Sequence, residues 1–139
     1  KLPDLRVLFE AKFLKAKELD VWVSMEVPEP ITVYPIYPLD WVYVLSTILD
    51  HVIDQAQDSE PKYLSYAYFK DEDSQHFVVE SSSTKEDSAI TSDFSDPELK
   101  RVNKILSTYP NVNIVSNTRA GIYRLQIEID MTKGGYNDY

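Results

Sequence analysis

Several side chains that could bind a metal ion share one face of a predicted helix near residue 50. The apolar residues between Trp41 and Ala56 recur at helical spacing without a miss. The opposite face of this helix carries Thr47, Asp50, His51, Asp54 and Asp58. Carboxylate and hydroxyl oxygens suit a hard divalent cation, whereas imidazole is a poor ligand for one. The same side chains are also typical of the solvated face of an amphipathic helix, so their spacing leaves both interpretations open.

Other kinds of chemistry are excluded by residues that the chain lacks. It has no cysteine, which excludes disulfides, thiolate nucleophiles and zinc knuckles and fits a cytoplasmic protein. His51 and His76 are too few for a histidine-based metal cage. Its three glycines, Gly121, Gly134 and Gly135, are too scattered to form a phosphate-binding loop. We interpret Gly121 as part of a hairpin turn between two apolar segments.

Composition limits the size and the partners of the protein. The 139 residues suffice for one domain, and 43% hydrophobic with 27% charged residues is ordinary for a folded one. Fourteen Lys and Arg against 23 Asp and Glu give a net charge of -9, which disfavours nucleic acid as a partner. No apolar run approaches the roughly 20 residues that a bilayer span needs, and the first residues do not resemble an export signal.

The apolar spacing predicts alternating helices and strands over the first part of the chain. Helical spacing covers 3–18, and alternation of apolar and polar residues predicts a strand at 21–27. The long helix begins near Pro38, after a proline-rich connection. Two strands, 63–69 and 76–80, are joined by an acidic turn, which indicates a hairpin.

A polar loop and a capped helix follow. Residues 81–95 are rich in Ser, Thr, Asp and Glu and lack apolar anchors, so we expect the most mobile internal segment there. Ser95 or Asp96 caps the next helix, with Pro97 in its first turn. Glu98 stands where it would complete a Ser-x-x-Glu capping box.

The last predicted elements complete a two-layer fold. Strands at 112–116 and 122–129 form a second hairpin, and the residues expected on one side of it are Tyr123, Leu125, Ile127 and Ile129. The order of elements predicts an α/β (α+β) two-layer sandwich, in which helices starting near Pro3, Pro38 and Pro97 cover one face of a mixed, mostly antiparallel sheet of about five strands. Residues 131–139 are expected to form a flexible tail.

Several stretches resemble a known family in their order and spacing. They are Leu14-Lys-Ala-Lys-Glu-Leu, Val27-Pro-Glu-Pro-Ile, Tyr37-Pro-Leu-Asp, Ile48-Leu-Asp-His-Val-Ile-Asp-Gln-Ala, Val79-Glu-Ser-Ser, Leu99-Lys-Arg-Val-Asn-Lys-Ile-Leu and Tyr109-Pro-Asn-Val. Residues 13–129 thereby resemble the catalytic, ATP-binding domain of sensor histidine kinases, within the GHKL ATPase superfamily. The resemblance is closest to the branch that senses peptide pheromones, the accessory-gene-regulator type.

The resemblance implies ATP and Mg²⁺ as cofactors, but the metal position departs from the family pattern. In the family, two asparagine oxygens on the long helix hold the Mg²⁺ that bridges the phosphates. This chain has Thr47 and His51 at those positions. His51 is therefore a weak candidate for the metal position, with Asp50 and Asp54 nearby.

Two further departures affect the nucleotide itself. The family's Glu-Asn-Ser, close to the adenine, is Glu80-Ser81-Ser82 here, and serine lacks the reach of an amide. The family's Gly-x-Gly-Leu is Asp96-Pro97-Glu98-Leu99, which places carboxylates where backbone N–H groups would bind phosphate. The resemblance therefore predicts that Mg-ATP binding is weak or absent.

The resemblance also implies an organisation and partners. Residues 1–18 correspond to the exit of a dimerisation region and 19–130 to the ATPase-like domain. The family's phosphoacceptor histidine lies upstream of this domain, and no histidine precedes His51, so we do not expect the chain to phosphorylate itself in the usual way. The implied partners are a response regulator and a homo- or heterodimeric kinase subunit, and the implied setting is the cytoplasmic part of a membrane-bound sensor.

Three functions compete at this point. The leading hypothesis is a quorum-sensing-like sensor kinase domain with a degenerate site, which acts as a pseudokinase or regulatory subunit. The alternative is a competent histidine kinase domain that binds Mg-ATP and phosphorylates a histidine on the dimerisation helix. A third hypothesis is an unrelated binding module, whose recognition surface would use Tyr63, Tyr66 and Tyr68.

Overall fold

Three helices and two β-sheets make up the part of the chain that the structure describes, residues 4–132 and the backbone of 136–137. The structure is a computed structural model. Its elements are α1 (Arg6–Glu18), β1 (Trp22–Glu26), β2 (Val33–Tyr34), α2 (Pro38–Gln57), β3 (Tyr63–Lys70), β4 (Ser74–Ser82), α3 (Pro97–Leu106), β5 (Val112–Arg119), β6 (Ile122–Asp130) and β7 (Tyr136–Asn137). No helix among the described residues is both long and apolar enough to cross a membrane.

The main sheet has five strands in the order β1-β3-β4-β6-β5. Only the β1–β3 pair is parallel, and the other neighbours in this sheet run antiparallel. The three helices pack against the sheet, with α1 on β1, α2 on β3 and β4, and α3 on β5. The predicted α/β sandwich with a mixed sheet is confirmed.

The long helix α2 supplies the centre of the core. Its buried residues are those that the helical spacing selected: Trp41, Val44, Leu45, Ile48, Leu49, Val52, Ile53 and Ala56. The Trp41 indole N–H donates a hydrogen bond of 3.0 Å to the Tyr68 hydroxyl, which in turn donates to Gln75. Burial of this stripe fixes which side of α2 faces away from the sheet, and therefore where His51 can lie.

The second hairpin follows the predicted alternation. Tyr123, Leu125, Ile127 and Ile129 are all buried on the helix side of β6. The turn that precedes them places Ala120 and Gly121 at positive φ (52° and 79°), as a two-residue hairpin turn of type I′ requires. β5 extends beyond its predicted end to Arg119 because its ladder with β6 continues to this turn. β6 extends by one residue at its far end, where Asp130 pairs with Ser74 on β4.

Two sequence predictions for the chain ends are only partly covered by the described residues. The first helix begins at Arg6, whose N–H donates to the Asp4 carboxylate at 2.9 Å, and Pro3 lies outside the described residues. Of the tail predicted at 131–139, the structure describes Met131, Thr132 and the backbone of Tyr136–Asn137. That backbone pairs antiparallel with β2.

The segment 81–95 differs from its prediction as an unanchored loop. Ser81 and Ser82 belong to β4 and are buried, and Phe94 is part of the core. Three-quarters of the way along, the Thr91 N–H and C=O pair with Ser116 on β5 at 2.9 and 2.8 Å. The prediction that this segment lacks anchors was wrong, because β5 is an edge strand whose free backbone groups provide polar anchors that composition does not reveal.

Candidate functional site

The His51 ring lies at the junction of α2, α3 and the sheet. Its Nδ1 is 3.7 Å from the Asp96 carboxylate at the start of α3, and its Nε2 is 2.7 Å from the Gln55 side-chain nitrogen. The Tyr123 ring on β6 meets it edge to face, with ring centroids 6.4 Å apart. Only 11% of the His51 side chain is exposed. The sequence-predicted residues His51 and Asp96 are therefore brought together, 45 positions apart in the chain.

Burial governs the charge of His51. It lowers the pKa of the imidazole below its ordinary value of 6.5, because the charged ring loses solvation. The negative charges of Asp96, Glu98 and Asp54 oppose this shift, and the positive charge of Lys85 adds to it. The net direction is downward, so a neutral ring prevails at neutral pH. A neutral ring offers one N–H donor and one acceptor to its neighbours.

Asp96 caps α3 with its own side chain. Its Oδ1 accepts hydrogen bonds from the backbone N–H groups of Glu98 and Leu99, at 2.8 and 3.3 Å. Of the two predicted capping residues, Asp96 is confirmed. The predicted Ser95–Glu98 capping box is wrong, because a cap at Asp96 leaves Glu98 one position too early in the helix to reach back. The N–H groups at this helix start are thus already bound by a carboxylate.

Buried polar atoms line the sheet beside His51. Ser81 on β4 stands directly opposite Tyr123 on β6. The Ser81 hydroxyl, the Tyr123 hydroxyl and the Gln55 side-chain oxygen are buried without a hydrogen-bond partner among the described residues. Burial raises the pKa of Tyr123, and Ser116 lies close to its hydroxyl without meeting the geometry of a hydrogen bond. Buried polar atoms usually have partners, so this lining is unusual for a core.

Asp50 points to the other side of α2. Its Oδ1 accepts hydrogen bonds from Lys12 and Lys15 on α1, at 2.8 and 3.0 Å. Partial burial alone would raise the pKa of Asp50, but the two ammonium groups hold it below its ordinary value. The expectation that Asp50 assists a metal near His51 is therefore corrected: its charge serves the α1–α2 contact.

The side chains at the predicted metal position do not fit Mg²⁺. Among the described residues, no group of three or more His, Asp or Glu side chains could hold a metal ion. His51 offers nitrogen rather than oxygen, and Asp96 is occupied by the start of α3. Thr47 is half-buried and Asp54 is exposed on the same helix face.

The segment between β4 and α3 is tied to the free edge of β5. Besides the Thr91–Ser116 bridge, the Ser88 N–H donates to the Thr118 carbonyl at 2.9 Å, and the Thr118 N–H donates to the Ser88 hydroxyl at 3.0 Å. Farther along, the Ser92 hydroxyl donates to the Ile114 carbonyl at 2.8 Å. The segment therefore covers this edge of the sheet and leads directly into Asp96.

Sequence reasoning missed two residues of this site. The alternation along β6 predicts only that Tyr123 is buried, and the helical spacing of α2 gives Gln55 no role. The one available signal for Gln55 was its position one turn after His51. The tyrosine surface of the third hypothesis is contradicted, because Tyr66 and Tyr68 are buried and only Tyr63 is half-exposed.

Comparisons with known proteins address the fold. No protein-family model and no curated protein sequence matches the chain. Among solved structures, the catalytic domain of histidine kinase ThkA superposes with a TM-score of 0.70 at 13% identity, over 92% of this chain and 94% of that one. The Acinetobacter baumannii histidine kinase AdeS gives 0.69 at 15% identity, over 95% of this chain and 67% of that one.

A third comparison extends the likeness over almost the whole chain. The mycobacterial sensor histidine kinase MprB gives a TM-score of 0.65 at 11% identity, over 98% of this chain and 97% of that one. Identities this low demonstrate a shared fold and leave chemistry to be argued from the site. The chain therefore has the fold of histidine kinase catalytic domains.

Proposed function

We propose that this protein is the ATP-binding-type domain of a sensor histidine kinase whose nucleotide site has degenerated, and that it acts as a regulatory, pseudokinase subunit. The fold supports the kinase part of the proposal. We place it in a two-component, quorum-sensing-like system, as the cytoplasmic part of a membrane-bound sensor. Its partners would be a response regulator and a kinase subunit that supplies dimerisation helices.

One observation carries the regulatory part of the proposal: the Asp96 carboxylate binds the N–H groups at the start of α3. A phosphate would need those same donors and would meet the negative charges of Asp96 and Glu98. Competition from a tethered carboxylate costs a phosphate both its hydrogen bonds and the favourable helix end. The helix start is stabilised by the feature that repels the nucleotide.

The other two departures from the family pattern, at His51 and Ser81, also weaken nucleotide binding in this proposal. His51 supplies nitrogen at the metal position, and Ser81 supplies a short hydroxyl near the adenine position. Each lost charge-assisted contact is worth roughly 1 to 3 kcal/mol. Three such losses would shift an affinity from about micromolar toward about millimolar or weaker. Neighbouring groups couple, so the sum sets the direction and the scale.

The competent-kinase alternative draws on a separate observation. The buried polar atoms of Ser81, Tyr123 and Gln55 form a lining suited to a polar ligand. In a competent kinase, the Asp96 side chain would move away from the start of α3, and Mg-ATP would then bind there.

Calorimetric titration of Mg-ATP into the purified chain separates the two functions. We expect the unmodified chain to bind Mg-ATP more weakly than a micromolar Kd, or not at all. Restoring the family residues with His51→Asn, Ser81→Asn, Asp96→Gly and Glu98→Gly should recover measurable heat. Because Ser81 is fully buried, a triple variant without Ser81→Asn guards against misfolding. Micromolar binding by the unmodified chain would promote the competent kinase and overturn the pseudokinase proposal.

A further inference from the structure

The main sheet ends on one side at β1, and the outer backbone groups in the middle of this strand have no partner among the described residues. The Trp22 N–H donates to the Lys62 carbonyl at 2.8 Å, so residues 22, 24 and 26 bond toward β3. Along a strand, the backbone N–H and C=O groups of successive residues point alternately to the two sides of the strand. Those of Val23 and Met25 therefore point outward, away from β3. Among the described residues, nothing hydrogen-bonds to these four groups.

The two edges of the main sheet differ in how far their outer backbone groups are hydrogen-bonded. At β5 the chain covers its own edge with the segment that carries Ser88 and Thr91. At β1, helix α1 bonds only to the two ends of the outward row: the Val21 N–H donates to the Ala16 carbonyl at 3.0 Å, and the Arg6 guanidinium donates to the Val27 carbonyl at 2.7 Å. The described residues leave the backbone groups of Val23 and Met25, between these ends, without a partner. An exposed row of N–H and C=O groups is a template for a further strand, and proteins usually cover or block such an edge.

The side chains of β1 specify what kind of strand would fit. Trp22, Ser24 and Glu26 face the open side of the sheet, where the Trp22 side chain is 67% exposed and stacks on Tyr63 with ring centroids 5.5 Å apart. Val23 and Met25 face the opposite side and pack against the core while half-buried. An added strand would therefore meet an aromatic face and a carboxylate on one side, and apolar surface on the other.

Charge decides between a second copy of this chain and a different partner. Residues 17–29 contain four acidic side chains and one lysine, all exposed: Lys17, Glu18, Asp20, Glu26 and Glu29. Two chains that each carry a net charge of -9 would repel one another at this edge. A cationic segment would be attracted to it.

We propose that β1 is a docking edge for an extended basic segment of another protein. The segment would pair with the outward N–H and C=O groups of Val23 and Met25, as a sixth strand beside β1. Its residues on the open side would be Lys or Arg, one over the Trp22 indole and one beside Glu26. The alternate residues would be apolar and would pack beside Val23 and Met25.

The test uses a short peptide whose sequence reads the same in both directions, acetyl-Arg-Val-Thr-Val-Arg-amide, titrated into the ¹⁵N-labelled chain at physiological salt. We expect saturable amide shifts centred on Val23 and Met25. The matched control peptide acetyl-Glu-Val-Thr-Val-Glu-amide should bind with an affinity at least about tenfold lower, since it reverses both charges. Because the nucleotide site is not involved, this outcome is independent of Mg-ATP binding.

Two kinds of variant localise the interaction. Val23→Pro removes one outward N–H without touching the β3 ladder, so it should abolish the shifts while the rest of the spectrum stays native. Trp22→Ala and Glu26→Lys keep the backbone edge and should each weaken the arginine peptide, with Glu26→Lys reducing the preference for arginine over glutamate. These two variants keep the proposal testable if Val23→Pro unfolds.

Three results would overturn the proposal. They are equal binding of both peptides, shifts that map away from β1, and undiminished binding by Trp22→Ala and Glu26→Lys. A fourth result that would overturn it comes from sedimentation of the chain alone. If the chain forms a dimer and Val23→Pro abolishes that dimer, a second copy of the chain occupies this edge.

Discussion

At the scale of single residues, three side chains from distant parts of the chain decide the character of the candidate site. Asp96 binds the start of α3, His51 sits against it, and Tyr123 packs against His51. In the proposed function, each of these contacts stands where a nucleotide site would need something else: free N–H donors, oxygen ligands or open space. Capping of α3 and packing against Tyr123 account for the positions of Asp96 and His51.

Removal of the Asp96 carboxylate should destabilise the protein. We expect Asp96→Ala to lower the free energy of unfolding by about 0.5 to 2 kcal/mol, because two N–H groups of α3 lose their acceptor. Asp96→Asn keeps a capping oxygen and should cost less. Urea denaturation measures both. The exposed Asp93, three residues earlier, offers a matched control as Asp93→Ala. Equal effects of Asp96→Ala and Asp93→Ala would contradict the capping role.

Acid should weaken the fold through His51. Its pKa is lowered in the folded chain, mainly by burial, so the unfolded chain binds the proton more readily. The free energy of unfolding should therefore fall as the pH drops below about 6.5, and be unaffected by His51 above that range. His51→Gln should flatten this dependence in denaturant titrations between about pH 7 and pH 5.

The other histidine provides the control for this pH dependence. His76 lies on β4, paired with Phe69 on β3, and its Nε2 is 2.8 Å from the Asp71 carboxylate in the β3–β4 turn. His76→Gln should leave the loss of stability between about pH 7 and pH 5 in place. A dependence that survives His51→Gln and disappears in His76→Gln would refute the assignment.

At the scale of elements, α1 is attached to the rest of the molecule by packing more than by charge. Phe9 is fully buried and contacts the rings of Tyr66, Tyr68 and Phe77 at centroid distances of 5.9, 5.6 and 6.1 Å. Asp50, with its two lysines, is 39% exposed and accessible to salt. Burial of an aromatic ring contributes more to the free energy of unfolding than an ion pair that solvent screens.

This comparison predicts very different costs for two substitutions. Phe9→Ala should lower the free energy of unfolding by about 3 to 5 kcal/mol, because it leaves a cavity under α1. Asp50→Asn should cost about 1 kcal/mol or less, and its effect should shrink further in high salt. Urea denaturation at low and high sodium chloride measures both. A larger loss from Asp50→Asn than from Phe9→Ala would contradict the packing argument.

The segment before α3 should be released by one proline. Thr91→Pro removes the N–H that bonds to the Ser116 carbonyl and should raise amide exchange and protease cleavage across 83–95. Exchange in the β3–β4 hairpin should stay the same. The control is Ile90→Pro, at a residue whose side chain is 71% exposed and whose N–H the described ladder does not use. Equal release by both variants would mean that the Thr91 bridge does not hold the segment.

At the scale of the whole molecule, the sheet has one edge closed by the chain and one edge open. Segment 83–95 covers β5 and also leads into Asp96 at the start of α3, so the covered edge and the capped start of α3 share one connection. The open edge at β1 lies at the other end of the strand order. A partner bound there would leave the region of His51 untouched.

Ligand-linked stability offers a further check on the proposed loss of nucleotide binding. A ligand present at about 100 times its Kd would raise the free energy of unfolding by about 2.7 kcal/mol. We therefore expect Mg-ATP at about millimolar concentration to leave the midpoint of thermal unfolding unchanged, since the expected Kd is at least of that order. A clear upward shift with Mg-ATP, absent with Mg²⁺ alone, would favour a working nucleotide site.

The sequence by itself determined the three helices and the five strands of the main sheet, because these are set by the spacing of neighbouring residues, whereas it did not predict β2 and β7. The stripe from Trp41 to Ala56 and the alternation from Tyr123 to Ile129 identified their buried faces correctly. Proline at the start of α3 and Asp96 as its cap were equally local features. Element order then sufficed for the two-layer class of fold.

Only the tertiary structure decided which polar side chains meet. Asp50 and His51 are adjacent in sequence, yet successive helical positions point about 100° apart, so one meets α1 and the other meets α3. The contact of Tyr123 with His51 and the bridge from Thr91 to Ser116 join residues far apart in the chain. Such pairings depend on how elements pack and which strand becomes an edge, which is a property of the assembled sheet rather than of any local pattern.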